Sequence, residues 1–261
     1  MAKLSKQQQK LHKQAMELID SDRPLTFEEK EFCFDNYHGD ADSFKGAFFT
    51  PNGLAWDFSV DAVTHGSLLE LCAGIGRLSF SVYHRHRPKR MVCVELCSEY
   101  VRIGKRLLPE AEWIQADVLT WKSNERFDLV ISNPPFGKIQ TSDIKDVNGY
   151  TGGEFEFKII SKAWDHSDYG VFLVPQGSAG FVYSGAHYYR PAESNKYKKW
   201  KEQTGLEATA GCGVDTSLWR DEWHGTNVLT EIITVEYPTR ENAVECDTEA
   251  SGDGSLSMFD I

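Results

Sequence analysis

Long hydrophobic runs are missing from this 261-residue chain: no stretch of about eighteen consecutive apolar residues occurs, which argues against a helix built to cross a bilayer. The first ten residues place no apolar segment behind their charges, so no secretory signal is predicted and a cytoplasmic location is expected. Cysteine is sparse and scattered (Cys33, Cys72, Cys93, Cys97, Cys212, Cys246), with no Cys-x-x-Cys and no zinc-type histidine spacing. Free thiols in a reducing compartment are therefore expected, with no metal site. Positive charge is also short, 28 Lys and Arg against 39 Asp and Glu, giving −11 overall. That balance excludes a uniformly basic nucleic-acid binder; any phosphate contacts must come from a local basic face. No internal repeat is present.

What is present is an apolar fraction of 41%, enough for one large core with small additions. Leu4, Leu11, Ala15, Leu18 and Ile19 fall at helical spacing, an amphipathic helix or a frayed arm, and Thr26 with Glu29 reads as the capping box of a second helix. Residues 1–46 are thus expected to form a helical extension and 47–237 the main domain. From Pro238 the composition turns acidic and small, which predicts a flexible tail over 238–261.

The organising stretch runs from Phe127 to Gly137, an apolar strand leading into Asn133-Pro134-Pro135-Phe136. A proline lacks an N–H and pushes its predecessor out of the helical region, so the strand stops at Asn133. In an open α/β sheet, ligands bind at that carboxyl end. Upstream, the strand Ser67–Leu71 turns through Cys72, Gly74 and Gly76 into a helix; the glycines let the backbone approach a bound molecule and the helix offers free N–H groups. The strand Arg90–Glu95 ends in an acid about twenty residues past the glycines, where nucleoside-binding α/β folds hold a ribose diol. A third strand leads to Asp117, an acid placed to accept from an adenine amino group.

Helices over 154–164 and 191–204, a fifth strand over 169–175 and a closing antiparallel pair, 206–212 with 227–237, complete the alternation. The polar stretch 138–153 reads as a substrate loop. Lys196, Lys198, Lys199 and Lys201 surround Trp200. They form either a cationic and aromatic grip on nucleic acid or a solvated face with Trp200 as core anchor.

This order of strands, glycine loop, acids and Asn-Pro-Pro-Phe resembles the S-adenosylmethionine-dependent amino methyltransferases, above all the N6-adenine DNA methyltransferases, over about residues 47–237. The resemblance implies an α/β, Rossmann-like fold with a seven-stranded, mostly parallel sheet and a C-terminal antiparallel strand pair. It implies S-adenosylmethionine held by Phe49, Thr50 and Pro51, by Glu70, Cys72, Gly74 and Gly76, by Glu95 and Leu96, by Asp117 and Val118, and by Asn133. Asn133, Pro134, Pro135 and Phe136 become the catalytic motif, in which two acceptors take the hydrogens of an adenine amine and Phe136 stacks on the extruded base. Substrate contacts are expected from Phe136, Gly137, Lys138, Tyr150, Lys196, Lys198 and Lys199, and nucleic acid, foremost DNA, is the expected partner. RNA adenine methylation, protein glutamine methylation and a non-catalytic adaptor are the alternatives. No room remains after Tyr237 for a separate target-recognition domain, so reading of sequence falls to 137–153 and 176–225.

The end of the chain, 255–261, is similar to the short sliding-clamp-binding peptide of bacterial replication proteins, with Leu256, Met258 and Phe259 as the inserting residues. An apolar end docking on its own domain is the alternative.

Overall fold

The computed structural model describes residues 4–39, 48–139 and 144–239. The helices α1 (Lys6–Ile19), α2 (Phe27–Asn36) and α3 (Asn52–Asp61) precede the alternating part of the chain. Ser5 and Thr26 cap α1 and α2 with the reciprocal side-chain and backbone hydrogen bonds of a capping box. The first segment is a packed helix: Ala15 and Ile19 of α1 and Cys33 and Phe34 of α2 enter the same core as Leu68 and Phe80.

The alternation then runs β1 (Ser67–Leu71), α4 (Arg77–His86), β2 (Arg90–Glu95), α5 (Ser98–Leu107), β3 (Glu112–Gln115), β4 (Leu129–Ser132), α6 (Phe155–Ala163) and β5 (Tyr169–Pro175). A hairpin of β6 (Phe181–Val182) and β7 (Arg190–Pro191) follows, then α7 (Asn195–Thr204), a 3-10 helix Thr216–Glu222 and β8 (Thr230–Glu236). The main sheet has the order β3-β2-β1-β4-β5-β8, parallel except for β8, which pairs antiparallel with β5 from Tyr169↔Glu236 to Pro175↔Thr230. Successive strand residues point to opposite faces, and both faces are covered. Leu68, Met91, Leu129, Ile131 and Leu173 pack on one side, and Leu69, Val92, Val130, Phe172 and Val174 on the other. Each such fully buried side chain contributes about 1.5–3 kcal/mol relative to exposure.

The sheet therefore has six strands where seven are expected. The segment 206–212 is not a strand: it meets β8 at a single bridge, Thr209↔Thr234, with two backbone hydrogen bonds of 2.9 Å. Gly205 and Gly211, both at positive φ, turn the chain away on either side, and Cys212 N–H donates to Asp61 instead. The helix expected from 191 begins at Asn195, because Pro191 belongs to β7 and Ser194 supplies the cap. The small β6–β7 hairpin was not anticipated.

The five described cysteines, Cys33, Cys72, Cys93, Cys97 and Cys212, are free thiols. Among the described residues no helix is long and apolar enough to cross a membrane. Leu256, Met258 and Phe259, and the tail from 240 onward, lie outside the described residues.

Candidate active site

Strand order reverses between β1 and β4, so a crevice opens where their carboxyl ends diverge. Ser132, the last residue of β4, donates its hydroxyl to the Leu71 carbonyl at 2.5 Å and ties the two strand ends together. Asn133 comes next. Its Nδ2 donates to the Phe48 carbonyl at 3.1 Å and to Thr50 Oγ1 at 2.9 Å. A backbone carbonyl can only accept, so the amide must present its nitrogen there, and Oδ1 faces the other way as an acceptor.

Phe136 lies between aromatic neighbours, 6.4 Å from Phe48 and 6.3 Å from Trp223 by ring centroids. Gly137, at φ +80°, closes the turn. Its N–H donates to Glu156 Oε2 at 2.8 Å and its carbonyl accepts from Phe155 N–H at 2.8 Å. Glu156 is fully buried; its other oxygen accepts from Ser178 Oγ at 2.7 Å and from Lys196 Nζ at 3.2 Å. One carboxylate thus holds the Asn133–Gly137 turn, the segment after β5 and the start of α7.

The opposite wall is the glycine loop. Gly74 has φ +55°, and its N–H donates to Glu95 Oε2 at 2.8 Å while Cys97 N–H donates to Oε1 at 2.9 Å. Leu96 N–H is a third backbone donor to this carboxylate, whose two oxygens still have acceptor capacity for an outside donor such as a ribose hydroxyl. Burial pushes the Glu95 carboxyl up, and these backbone donors work against that rise. Gly76 has φ +89°, and a Cβ there would stand 2.9 Å from the Trp113 ring, so only glycine fits. Phe49 covers Gly74 and packs against Tyr37 and Tyr100 at 5.6 and 5.2 Å.

Glu70 is buried in β1, with Oε2 accepting from Ser79 N–H at 3.0 Å, and burial pushes its carboxyl up to about 8. Burial also raises the Cys72 thiol well above its usual range. Asp117 sits just past β3, partly exposed, with Oδ1 accepting from Leu119 N–H at 2.9 Å. Leu96 is exposed at the end of β2 and Val118 is buried. A small cleft between the two walls is lined by Phe49, Thr50, Gly74, Ile75, Leu78 and Asn133. Left-handed glycines, a helix N-terminus and a buried carboxylate are the kinds of group that hold a nucleoside bearing a short polar chain.

The structure brings together most of the predicted site and separates some of it. Tyr150, expected to support a stacked base, is 1% exposed and packs against Phe157 in the core on the α6 side, so it has no surface to offer the cleft. Lys196 is committed to Glu156 and Lys201 to Glu193 and Glu207. Trp200 is a core anchor stacked on Phe157 at 5.1 Å. Lys198 and Lys199 stay exposed, as does Lys138.

Three site residues escaped the sequence. Trp223 flanks Phe136, Glu156 holds Gly137, and Arg77, buried at the head of α4, lines the cleft, pairs with Asp35 and lies 4.7 Å over the Phe34 ring. A signal existed for Glu156, a charge amid the apolar positions Phe155, Phe157, Ile159 and Ile160. None existed for Trp223.

Comparison with known proteins agrees with this geometry. Residues 68–148 match the sequence profile of the family described as Methyltransferase domain. A tRNA1(Val) (adenine(37)-N6)-methyltransferase from Glaesserella parasuis is 27% identical over 158 residues, 53% of this chain and 64% of that protein. A trans-aconitate 2-methyltransferase from Azoarcus sp. is 32% identical over 73 residues, 28% of each chain. The matches thus span less than two thirds of either relative. A protein of Listeria monocytogenes assigned to the class I S-adenosylmethionine-dependent methyltransferases superposes with a TM-score of 0.56 at 12% identity, covering 87% of this chain and 69% of that one. That likeness establishes the fold. Over residues 68–148 the chain is similar to the methyltransferase domain family, with the glycine loop, the acids and Asn133 inside that stretch, and its fold is that of the class I methyltransferases.

Proposed function

We propose that this chain methylates the exocyclic N6 amine of adenine in DNA, using S-adenosylmethionine. The observation that carries the reading is the Asn133 amide, whose nitrogen is held by Phe48 and Thr50 so that its oxygen is left to accept. An adenine amine is a poor nucleophile because its lone pair is delocalised into the ring. Asn133 Oδ1 and the Pro134 carbonyl take its two hydrogens and favour a pyramidal nitrogen with a localised lone pair. Phe136, on its mount of Phe48 and Trp223, presents a ring face to the extruded base.

Glu95 receives the ribose hydroxyls, Asp117 the adenine amino group of the cofactor, and the Gly74–Gly76 loop with the head of α4 its methionine portion. S-adenosylmethionine would supply, when bound, a sulfonium-borne methyl that the amine lone pair can take, with neutral S-adenosylhomocysteine as the leaving group. The amine then gives up one proton, leaving a neutral methylated base. Preference for adenine over other amines rests on the family resemblance of Asn-Pro-Pro-Phe and of the Phe49-Thr50-Pro51 segment.

A second reading, RNA as the polymer, is favoured by the Glaesserella relative, which is described as acting on a tRNA adenine. Transfer of labelled methyl from S-adenosylmethionine to separated DNA, RNA and protein fractions decides between them. Label in DNA as N6-methyladenine is expected. Label in RNA alone moves the assignment to the second reading, and label in protein alone overturns both.

A further inference from the structure

The hairpin β6–β7 leaves the same end of the sheet as the catalytic turn, and its construction differs from that of an ordinary surface loop. Phe181 at its base is buried and packs on Tyr189 at 5.4 Å. Glu231 of β8, 1% exposed, accepts from Tyr183 N–H at 2.9 Å, Ser184 N–H at 3.0 Å, Ser184 Oγ at 2.7 Å and Gln176 Nε2 at 2.7 Å. A buried carboxylate leaning on that many uncharged donors fixes the hairpin rigidly to the sheet. Gly185 N–H donates to Asp215 Oδ1 at 3.0 Å, and from Asp215 the 3-10 helix leads directly to Trp223, beside Phe136. The hairpin is therefore braced against the catalytic turn.

This rigid arm presents side chains that a solvated loop has no use for. Tyr188 is 72% exposed and its neighbour Tyr189 is 49% exposed, flanked by exposed His187 and Arg190. Past the arm, α7 buries Tyr197 and Trp200 and turns Lys198 and Lys199 outward. Residues 181–201 hold five Lys and Arg and a single acid, in a chain whose net charge is −11. Cations alone would serve any polyanion, whereas adjacent exposed aromatic rings add π faces that bases fill.

We propose that the arm 181–191 and the outward face of α7 are the docking surface for a single polynucleotide strand, with bases stacking on Tyr188 and Tyr189 and phosphates on Arg190, Lys198 and Lys199. The proposal deepens the nucleic-acid reading above and rests on it. It gives the strand a place to be held beside the extruded base.

The test compares wild type with Tyr188→Ala/Tyr189→Ala and with Arg190→Glu/Lys198→Glu/Lys199→Glu. Fluorescence anisotropy reads binding to labelled single-stranded DNA, single-stranded RNA and duplex DNA, and calorimetry with S-adenosylhomocysteine reports an intact cofactor cleft. The expected result is about 10- to 100-fold weaker binding of a single strand in each variant, with S-adenosylhomocysteine affinity unchanged. The stronger of the DNA and RNA arms names the polymer. Unchanged strand affinity in both variants, with wild type still methylating nucleic acid, overturns the docking surface and leaves the reading above intact. Absence of polynucleotide binding by a wild type that binds S-adenosylhomocysteine overturns both.

Discussion

Asn133 owes its orientation to residues more than eighty positions away in the chain, the Phe48 carbonyl and Thr50 Oγ1. The sequence assigned Thr50 to the cofactor; in the structure it lines the cleft and also accepts from the Asn133 amide, which gives it a positioning part under the proposed function. This leads to a cycle of substitutions. If Asn133 accepts from the amine as proposed, Asn133→Ala should lower kcat by about 10²- to 10³-fold. Thr50→Val keeps the volume, lets the amide rotate and should cost about tenfold. The double variant should be no slower than Asn133→Ala alone, because the pair acts as one unit. Single-turnover rates that fall multiplicatively would remove Thr50 from this role. The placement of Asn133, Glu95 and Asp117 at strand ends was legible, because apolar residues mark the strands that lead to them. Lys196 was not, since its partner Glu156 lies forty residues away and only the fold reveals that the charge is spent.

Between β1 and α4 the glycine loop is held from both ends, by Glu95 at Gly74 and by Glu70 at Ser79. Glu70 shifts from an ordinary value of 4.5 to about 8 because burial disfavours its charge. The native state therefore binds this proton more tightly than the unfolded chain. The resulting stabilisation is complete below the unfolded value and is lost as pH rises through the folded one. Glu70→Gln cannot ionise, so thermal melts between about pH 5 and pH 9 should show the variant gaining on wild type as pH rises. A constant offset across that range would sink the assignment. Strands buried on both faces were readable as apolar runs, whereas β6 and β7 are two residues each and too short to show a period. The segment 206–212 carried strand-like residues, but positive φ at Gly205 and Gly211 turns it off the sheet, and no residue-type pattern announces that geometry.

At the scale of the whole molecule, an acidic chain that docks a polyanion must do so through few contacts. On the proposed docking surface Arg190, Lys198 and Lys199 would make about three phosphate contacts, which predicts a slope of log affinity against log salt near −2 for a single strand. Titrations at several salt concentrations check this; a slope near zero would show that the cations take no part. The class of the fold was visible in the order of motifs, while the β6–β7 arm was not, because it depends on how Glu231 gathers donors from distant segments. Glu156 carries a last consequence. Since a single buried carboxylate serves Gly137, Ser178 and Lys196, it works as a shared pivot. Under the proposed docking, a strand that pulls on α7 would draw a counter-charge off that pivot and shift the electrostatic load onto the peptide behind Phe136. Grip on the polymer and shape of the Asn133–Gly137 turn would then be set at one joint.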